Sequence, residues 1–296
     1  ASSCALRSFS ARICRARSSR GIQLRPGGVL NNCLLSHQVV AARLVQVDGT
    51  PFVGGGVVQC TYNVVQHGQV PSAGYGGAAA WGIGCANVRD SVVSHNIVSL
   101  SDSTVESAGI RIRYDGTMGA GTVVSHNTQY DDNIVYDWGG YSLYVIGDAT
   151  TLLGNTLRGN VCNSPDNSHH YGANAPSIHW DLPSGGAAHF LTANNRVARN
   201  LGSTGEMSGT HTTYALWRTA YEGGTTTSLV NPPDAGGSIT YLDPLRDIAS
   251  YSASIGGAGT LADFEAVIRA MHRGNWDDRY TAPYVNAYIR AGFVPA

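Results

Sequence analysis

The chain contains no lysine: all 19 of its basic residues are arginine. A GC-rich genome would account for that absence, since lysine codons are AT-rich. The consequence still holds that any cationic role toward a carboxylate must fall to Arg or His. Charge of either sign is scarce, with charged residues only 13% of the sequence, about half the usual share. The net charge of −1 gives no overall pull toward nucleic acid or an anionic membrane. No run of 18 apolar residues occurs, so no membrane-spanning helix is expected. The six cysteines, at positions 4, 14, 33, 60, 85 and 162, include no CxxC pair, which removes zinc-ribbon and thioredoxin-like readings. Cys4 and Cys14 could be bridged in a secreted protein. Cys33, Cys60 and Cys85, spaced 27 and 25 apart, are expected to stack as small core residues.

Glycine, by contrast, is plentiful: 37 of 296 residues, against an average near ~7%. Many tight turns and polar but uncharged faces would produce such a composition, as in a solenoid or a secreted β-protein. Residues 1–25 carry six Arg and no acidic residue. That composition suits either a targeting segment or an Arg-rich cap, and the cap is expected over 1–20.

The pentapeptide VVSHN occurs at Val92–Asn96 and again at Val123–Asn127, 31 residues later. Aligned on it, short β-branched or Leu pairs followed by Asn recur as YNVVQHG, VVSHNIV, VVSHNTQ, LLGNTLRGN and LTANNRVARN. The Asn positions 63, 96, 127, 155 and 195 step by 33, 31, 28 and 40. A second strand-like series precedes each Asn: WGIGCA, AGIRIR, YSLYVI and PSIHWD. Short strands and Gly/Asn/Asp turns at a period near 30 residues, without helical periodicity, indicate a β-solenoid. Asn returning at one turn of every repeat predicts a ladder of side-chain amides. His95 and His126, beside that Asn, read as scaffold.

The tail has a different pattern. Thr260 stands three residues before Asp263, and Leu261, Phe264, Val267, Ile268 and Met271 share one helical face. A second helix is expected over 281–293 with Val285, Tyr288 and Ile289 inward. The expected organisation is an N-terminal cap segment (1–20), β-solenoid repeats (21–204), a Thr/Gly/Pro-rich connecting loop (205–240) and a helical C-terminal cap (241–296). Such a cap would close an end where unpaired strand edges invite association.

SVVSHNIV, TVVSHNTQ, GIRIR and DDNIVYDWGGYSLYVIGDATTLLGNTLRGNV together resemble the right-handed parallel β-helix proteins of the pectate-lyase-like superfamily, over residues 21–204. The resemblance implies an all-β, right-handed parallel β-helix with a small C-terminal α-helical cap. The stretches DPLRDIASYSASIGGAGTLADF and NWDDRYTAPYVNAYIRAGF are similar to tails of secreted bacterial β-helix proteins, which implies an extracellular or cell-surface location.

The repeat also assigns side chains to columns. With Ile83, Ile110, Leu143 and Ile178 inward, alternation turns Gly84, Arg111, Tyr144 and His179 outward, and two residues on Ala86, Arg113, Ile146 and Asp181. Arg111, Arg113, Tyr144 and His179 are therefore the candidate catalytic residues. Arg can neutralise a uronate carboxylate bidentately, and Tyr and His can exchange protons. Asp181, with His169, His170 and Tyr171 on the long excursion NSPDNSHHYGANAP, is the candidate substrate-binding set. The superfamily's lyases often use a Lys or Arg base with calcium held by acidic residues, and the Lys version is excluded here. Its polygalacturonase-type pattern of paired Asp, GHG and RIK is absent. Asp115, Asp131, Asp132 and Asp137 sit in turns that suit Asp by themselves. No metal or cofactor is expected, and calcium is the one cation they could take. The function expected is a lyase of acidic polysaccharide. The other reading is a non-enzymatic structural or glycan-binding subunit that self-assembles into an appendage, surface layer or phage fibre.

Overall fold

The computed structural model describes residues 12–13, 22–24, 29–38, 43–48, 57–68, 80–86, 88–99, 107–113, 125–136, 141–147, 152–163, 177–182, 186–198, 207–222, 227–231 and 246–293. All pairing among its strands is parallel. An eight-stranded sheet takes Arg12–Ile13, Cys33–Gln38, Val64–Gly68, Ile97–Ser99, Ile134–Tyr136, Val161–Asn163, Arg196–Ala198 and Leu229–Asn231 in that spatial order. A seven-stranded sheet takes Ile22–Leu24, Arg43–Asp48, Ala80–Ala86, Ser107–Arg113, Tyr141–Ile146, Ile178–Asp181 and Ser208–Gly209. Spatial order equals chain order in both, so the chain returns to each sheet once per repeat. Short three- and two-stranded sheets fill the path between them.

Alternation divides each strand between two surroundings. In the eight-stranded sheet, Val65, Val98, Val135, Cys162 and Val197 join the main core. Their neighbours Val64, Ile97, Ile134 and Val161 face the other way and form a second apolar cluster. The seven-stranded sheet sends Ile83, Ile110, Leu143 and Ile178 into the main core, as expected.

One corner carries the amide ladder. Asn63, Asn96, Asn133, Asn160 and Asn195 are all buried. Each Nδ2 donates to the Oδ1 of the next, at 2.9, 3.0, 3.1 and 3.0 Å, and Asn195 ends on Ser228 Oγ at 3.4 Å. The residue before each rung is left-handed: Tyr62, His95, Asp132, Gly159 and Asn194. The ladder differs from the expected series at two rungs, with Asn133 and Asn160 in place of Asn127 and Asn155. The two VVSHN copies are therefore not equivalent. The first runs along Val92–Ser94 to the ladder corner. The second lies one corner earlier, where His126 pairs with Arg89 and Leu153 and Asn127 is itself left-handed. That corner has a short polar column of its own, in which Asn155 Oδ1 accepts from Thr128 N–H and Ser125 Oγ–H.

The cysteines also depart from expectation. Cys33, Cys60 and Cys85 are buried and unbridged but occupy three different columns, level with Asn63, with Leu30 and Val93, and with Ile112. Burial pushes the thiols of Cys60 and Cys162 up to about 12, so they act as apolar filling.

Four α-helices are present among the described residues. Helix α1 (Tyr214–Tyr221) falls within the stretch expected to be a loop. Thr213 caps it by accepting from Leu216 N–H at 3.3 Å. Its Tyr214, Trp217 and Tyr221 enter the main core beside Trp180, Phe190 and Leu182. Helices α2 (Ile248–Ser254), α3 (Leu261–Ala270) and α4 (Ala282–Arg290) form the expected helical tail. They lie against the flank of the eight-stranded sheet, where Ile248, Phe264, Val285 and Ile289 cover Val64, Ile97, Ile134 and Val161. Asn286 Nδ2 donates to His95 O at 2.9 Å and fixes α4 to the ladder corner. An outward stripe of four β-branched residues demands cover more strongly than the end that α1 already fills.

The seven-stranded sheet is irregular near the start of its long strands. The register pairs Ala108 with Trp81 and Tyr141, then resumes at Ile110 with Ile83 and Leu143. The offset between these strands is the same on both sides of the unpaired level, so they kink together there with no residue inserted. Ser142 N–H and Leu143 N–H both donate to Ser177 O, at 2.7 and 3.2 Å. At the same level, a Cβ on Gly109 would stand 2.2 Å from Val135 Cγ1. Gly109→Ala is therefore expected to cost about 1–3 kcal/mol by overpacking. Urea unfolding measures this, and an unchanged midpoint would mean that the sheet has slack at the kink.

Candidate functional site

The outward column of the seven-stranded sheet assembles in the order the sequence predicts. Arg111 pairs with Gly84 on one side and Tyr144 on the other, and Tyr144 pairs with His179. The register adds Ser208 beyond His179. Successive members are about one strand spacing apart, ~4.8 Å. The His179 imidazole stacks on the Tyr144 ring at 4.5 Å between centroids and 20° between planes. Its Nδ1 lies 2.6 Å from Ser208 Oγ.

The kink brings two further aromatics to this face. Strict alternation from Ile83 and Leu143 would turn Trp81 and Tyr141 inward. Instead Trp81 clusters with Ala108 and Tyr144, with Tyr141 packed against them, apart from the main core. The Arg111 guanidinium lies over the Trp81 ring, 4.3 Å from its centroid. The Tyr141 ring is 5.4 Å from Tyr144 and 5.3 Å from His179. Gly82 and Gly109, glycines inside strands, are the sequence signal that could have revealed the kink.

Arg111, Tyr144 and Trp81 point away from the core yet are 8%, 5% and 4% exposed. His179 and Tyr141 are half-buried, and Asp181 is exposed. A flat, weakly hydrated guanidinium on an indole face keeps its charge at such depth, where a carboxylate partner gains most from a bidentate contact. Asp181 accepts from Thr210 Oγ1–H at 2.6 Å. Arg113 pairs through its backbone with Ile146. The Arg113 side chain, and the whole of His169, His170 and Tyr171, lie outside the described residues, as do Asp115 and Asp137.

The described turn aspartates have local partners. Asp131 accepts from Thr156 Oγ1–H and Arg158 N–H at 2.9 and 3.0 Å, and burial raises its carboxyl above the usual range despite those bonds. Asp132 lies 3.6 Å from His95 Nε2. Among the described residues, no group of three His, Cys, Asp or Glu gathers as a metal centre, and no helix is long and apolar enough to cross a membrane. No family model, curated protein or solved structure matches the chain.

Proposed function

We propose that the chain is a right-handed parallel β-helix of the pectate-lyase-like type, secreted or displayed at the cell surface, that cleaves an acidic polysaccharide by β-elimination. The observation that carries this reading is the Arg111–Tyr144–His179 column, with its guanidinium on Trp81 and its imidazole stacked on Tyr144. Arg111 neutralises the uronate carboxylate, which lowers the cost of carbanion character at C5. His179 takes the C5 proton. The electron pair forms the C4=C5 double bond as the C4–O bond breaks, and the departing oxygen takes a proton from Tyr144. Tyr141, half-buried beside the column, offers a flat face to a sugar ring.

The test is a panel of uronate polymers, followed by the ultraviolet absorbance of the unsaturated product. Arg111→Ala and His179→Asn should each lower kcat/KM by about 100-fold or more. Activity unchanged in both variants would remove the column from the chemistry. The near-complete burial of Arg111 and Tyr144 favours a second reading, a non-catalytic glycan-binding or self-assembling subunit. Retention on immobilised oligouronate without any product, lost in Arg111→Ala, would select binding.

A further inference from the structure

Helices α3 and α4 are joined by residues 271–281, a loop held largely by its own side chains. Asn275 N–H donates to His272 O at 3.0 Å and closes a turn. The Asn275 carboxamide accepts from His272 N–H at 2.6 Å and donates to Ala270 O at 3.2 Å, and Gly274 N–H donates to His272 Nδ1 at 3.0 Å. Arg279 donates to both oxygens of Asp277, from Nε at 3.1 Å and from Nη2 at 2.7 Å. The Tyr251 hydroxyl donates to Arg279 O at 2.7 Å, and the Tyr280 ring stacks on Phe264 at 5.0 Å, so the loop is pinned to α2 and α3. A loop ordered in this way presents its surface groups to a ligand with little further ordering cost.

Three groups stand outside that network. Trp276 is 51% exposed, yet its indole N–H donates to Asp278 Oδ1 at 2.6 Å, which holds the ring in one orientation. The second oxygen of Asp278 makes no bond among the described residues. Arg273, exposed at the second position of the turn, has no hydrogen bond or ion pair among them either. We propose that Arg273, Trp276 and Asp278 form a second glycan-binding surface, which seats one ring of an acidic polysaccharide away from the Arg111–Tyr144–His179 column. The indole stacks on the C–H face of the sugar. The unbonded Asp278 oxygen accepts from a ring hydroxyl, and Arg273 takes the uronate carboxylate through its fork. Asp277 and Asp278 disfavour a nucleic acid, whose closely spaced phosphates would crowd against them. A uronate brings one carboxylate per ring, matched by one unpaired guanidinium. The tail covers the eight-stranded sheet and the column lies on the seven-stranded one, so the two surfaces are separate. That the polymer held here is also the one cleaved rests on the function proposed above.

The experiment is electrophoresis of the full-length chain through native gels containing polygalacturonate or alginate, with dextran as the neutral control. At least one uronate polymer should retard the native chain, and dextran should not. Trp276→Ala should raise the dissociation constant about tenfold, Trp276→Phe should recover most of that loss, and Arg273→Gln should raise the constant about fivefold. The same losses should appear in an Arg111→Ala background, where the column can no longer hold a carboxylate. Urea midpoints equal to the native one separate lost binding from lost folding. Trp276→Ala bound as tightly as the native chain overturns the inference, and so does a native chain that neither uronate polymer retards. Equal retardation by dextran overturns the assignment to an acidic ligand. Retardation that depends on Trp276, with no unsaturated product from either polymer, removes the lyase reading and leaves this surface standing.

Discussion

Asn96→Ala should destabilise the protein by about 3–5 kcal/mol, while Asn127→Ala, at the same letter of the same pentapeptide, should cost about 1 kcal/mol. Asn96 is fully buried. Its Oδ1 accepts from Asn63 N–H and Asn63 Nδ2 at 3.1 and 2.9 Å, and its Nδ2 donates to Cys60 O and Asn133 Oδ1 at 2.9 and 3.0 Å. Alanine strands two donors and two acceptors between repeats, each worth about 1–3 kcal/mol when left unmade, less what inward relaxation or water restores. Asn127 is exposed and makes one side-chain bond, from Nδ2 to Asp90 Oδ1 at 3.2 Å. Its main service is to accept φ +47°, which Ala tolerates less well. Urea unfolding of the two variants is decisive, and equal losses would mean the copies share one structural role after all.

Trp217→Ala should cost about 3–5 kcal/mol and expose dye-binding apolar surface, while its neighbour Leu216→Ala stays within about 0.5 kcal/mol. Trp217 is wholly buried and edge-on to Trp180 at 5.6 Å, and Trp180 in turn meets Phe190 and Tyr221 at 5.2 and 5.0 Å. Leu216, one residue earlier on α1, is 55% exposed. The indole closes the last repeat's share of the core, so its loss opens the interior from one end. A Trp217→Ala chain as stable as Leu216→Ala would show that α1 is no plug.

The column Gly84–Arg111–Tyr144–His179 was legible because the inward residues Ile83, Ile110, Leu143 and Ile178 fix a period-two register. Trp81 and Tyr141 were not, because a kink shared by neighbouring strands breaks the alternation and only Gly82 and Gly109 hint at it. The ladder was legible in kind but slipped at Asn127 and Asn155. Two corners make the same local demand, a left-handed residue followed by a buried polar one, met by His95–Asn96 in the first copy and by Asn127–Thr128 in the second, so the five letters are read one residue out of step. Helix α1 was hidden by its length, eight residues in a Thr- and Gly-rich stretch, since tertiary packing and not propensity holds so short a helix. Ser208 and Thr210 matter only through where their turn lands, which no local pattern encodes.

The amide ladder also has an electrical sense. Every rung takes its Oδ1 bonds from the repeat before it and gives an Nδ2 bond to the repeat after it, so the carboxamide dipoles add head to tail through five repeats. The series begins where Cys33 N–H donates to Asn63 Oδ1 and ends on Ser228, whose N–H donates to the Glu222 carboxylate at 3.1 Å. Glu222 is buried, and Thr227 N–H also donates to it, at 2.6 Å. An anion thus stands at the positive terminus of the array, as a carboxylate stands at the start of a helix. Inserting a repeat in the middle would lengthen the dipole without changing the groups at either terminus, whereas the Glu222 end can be built only once.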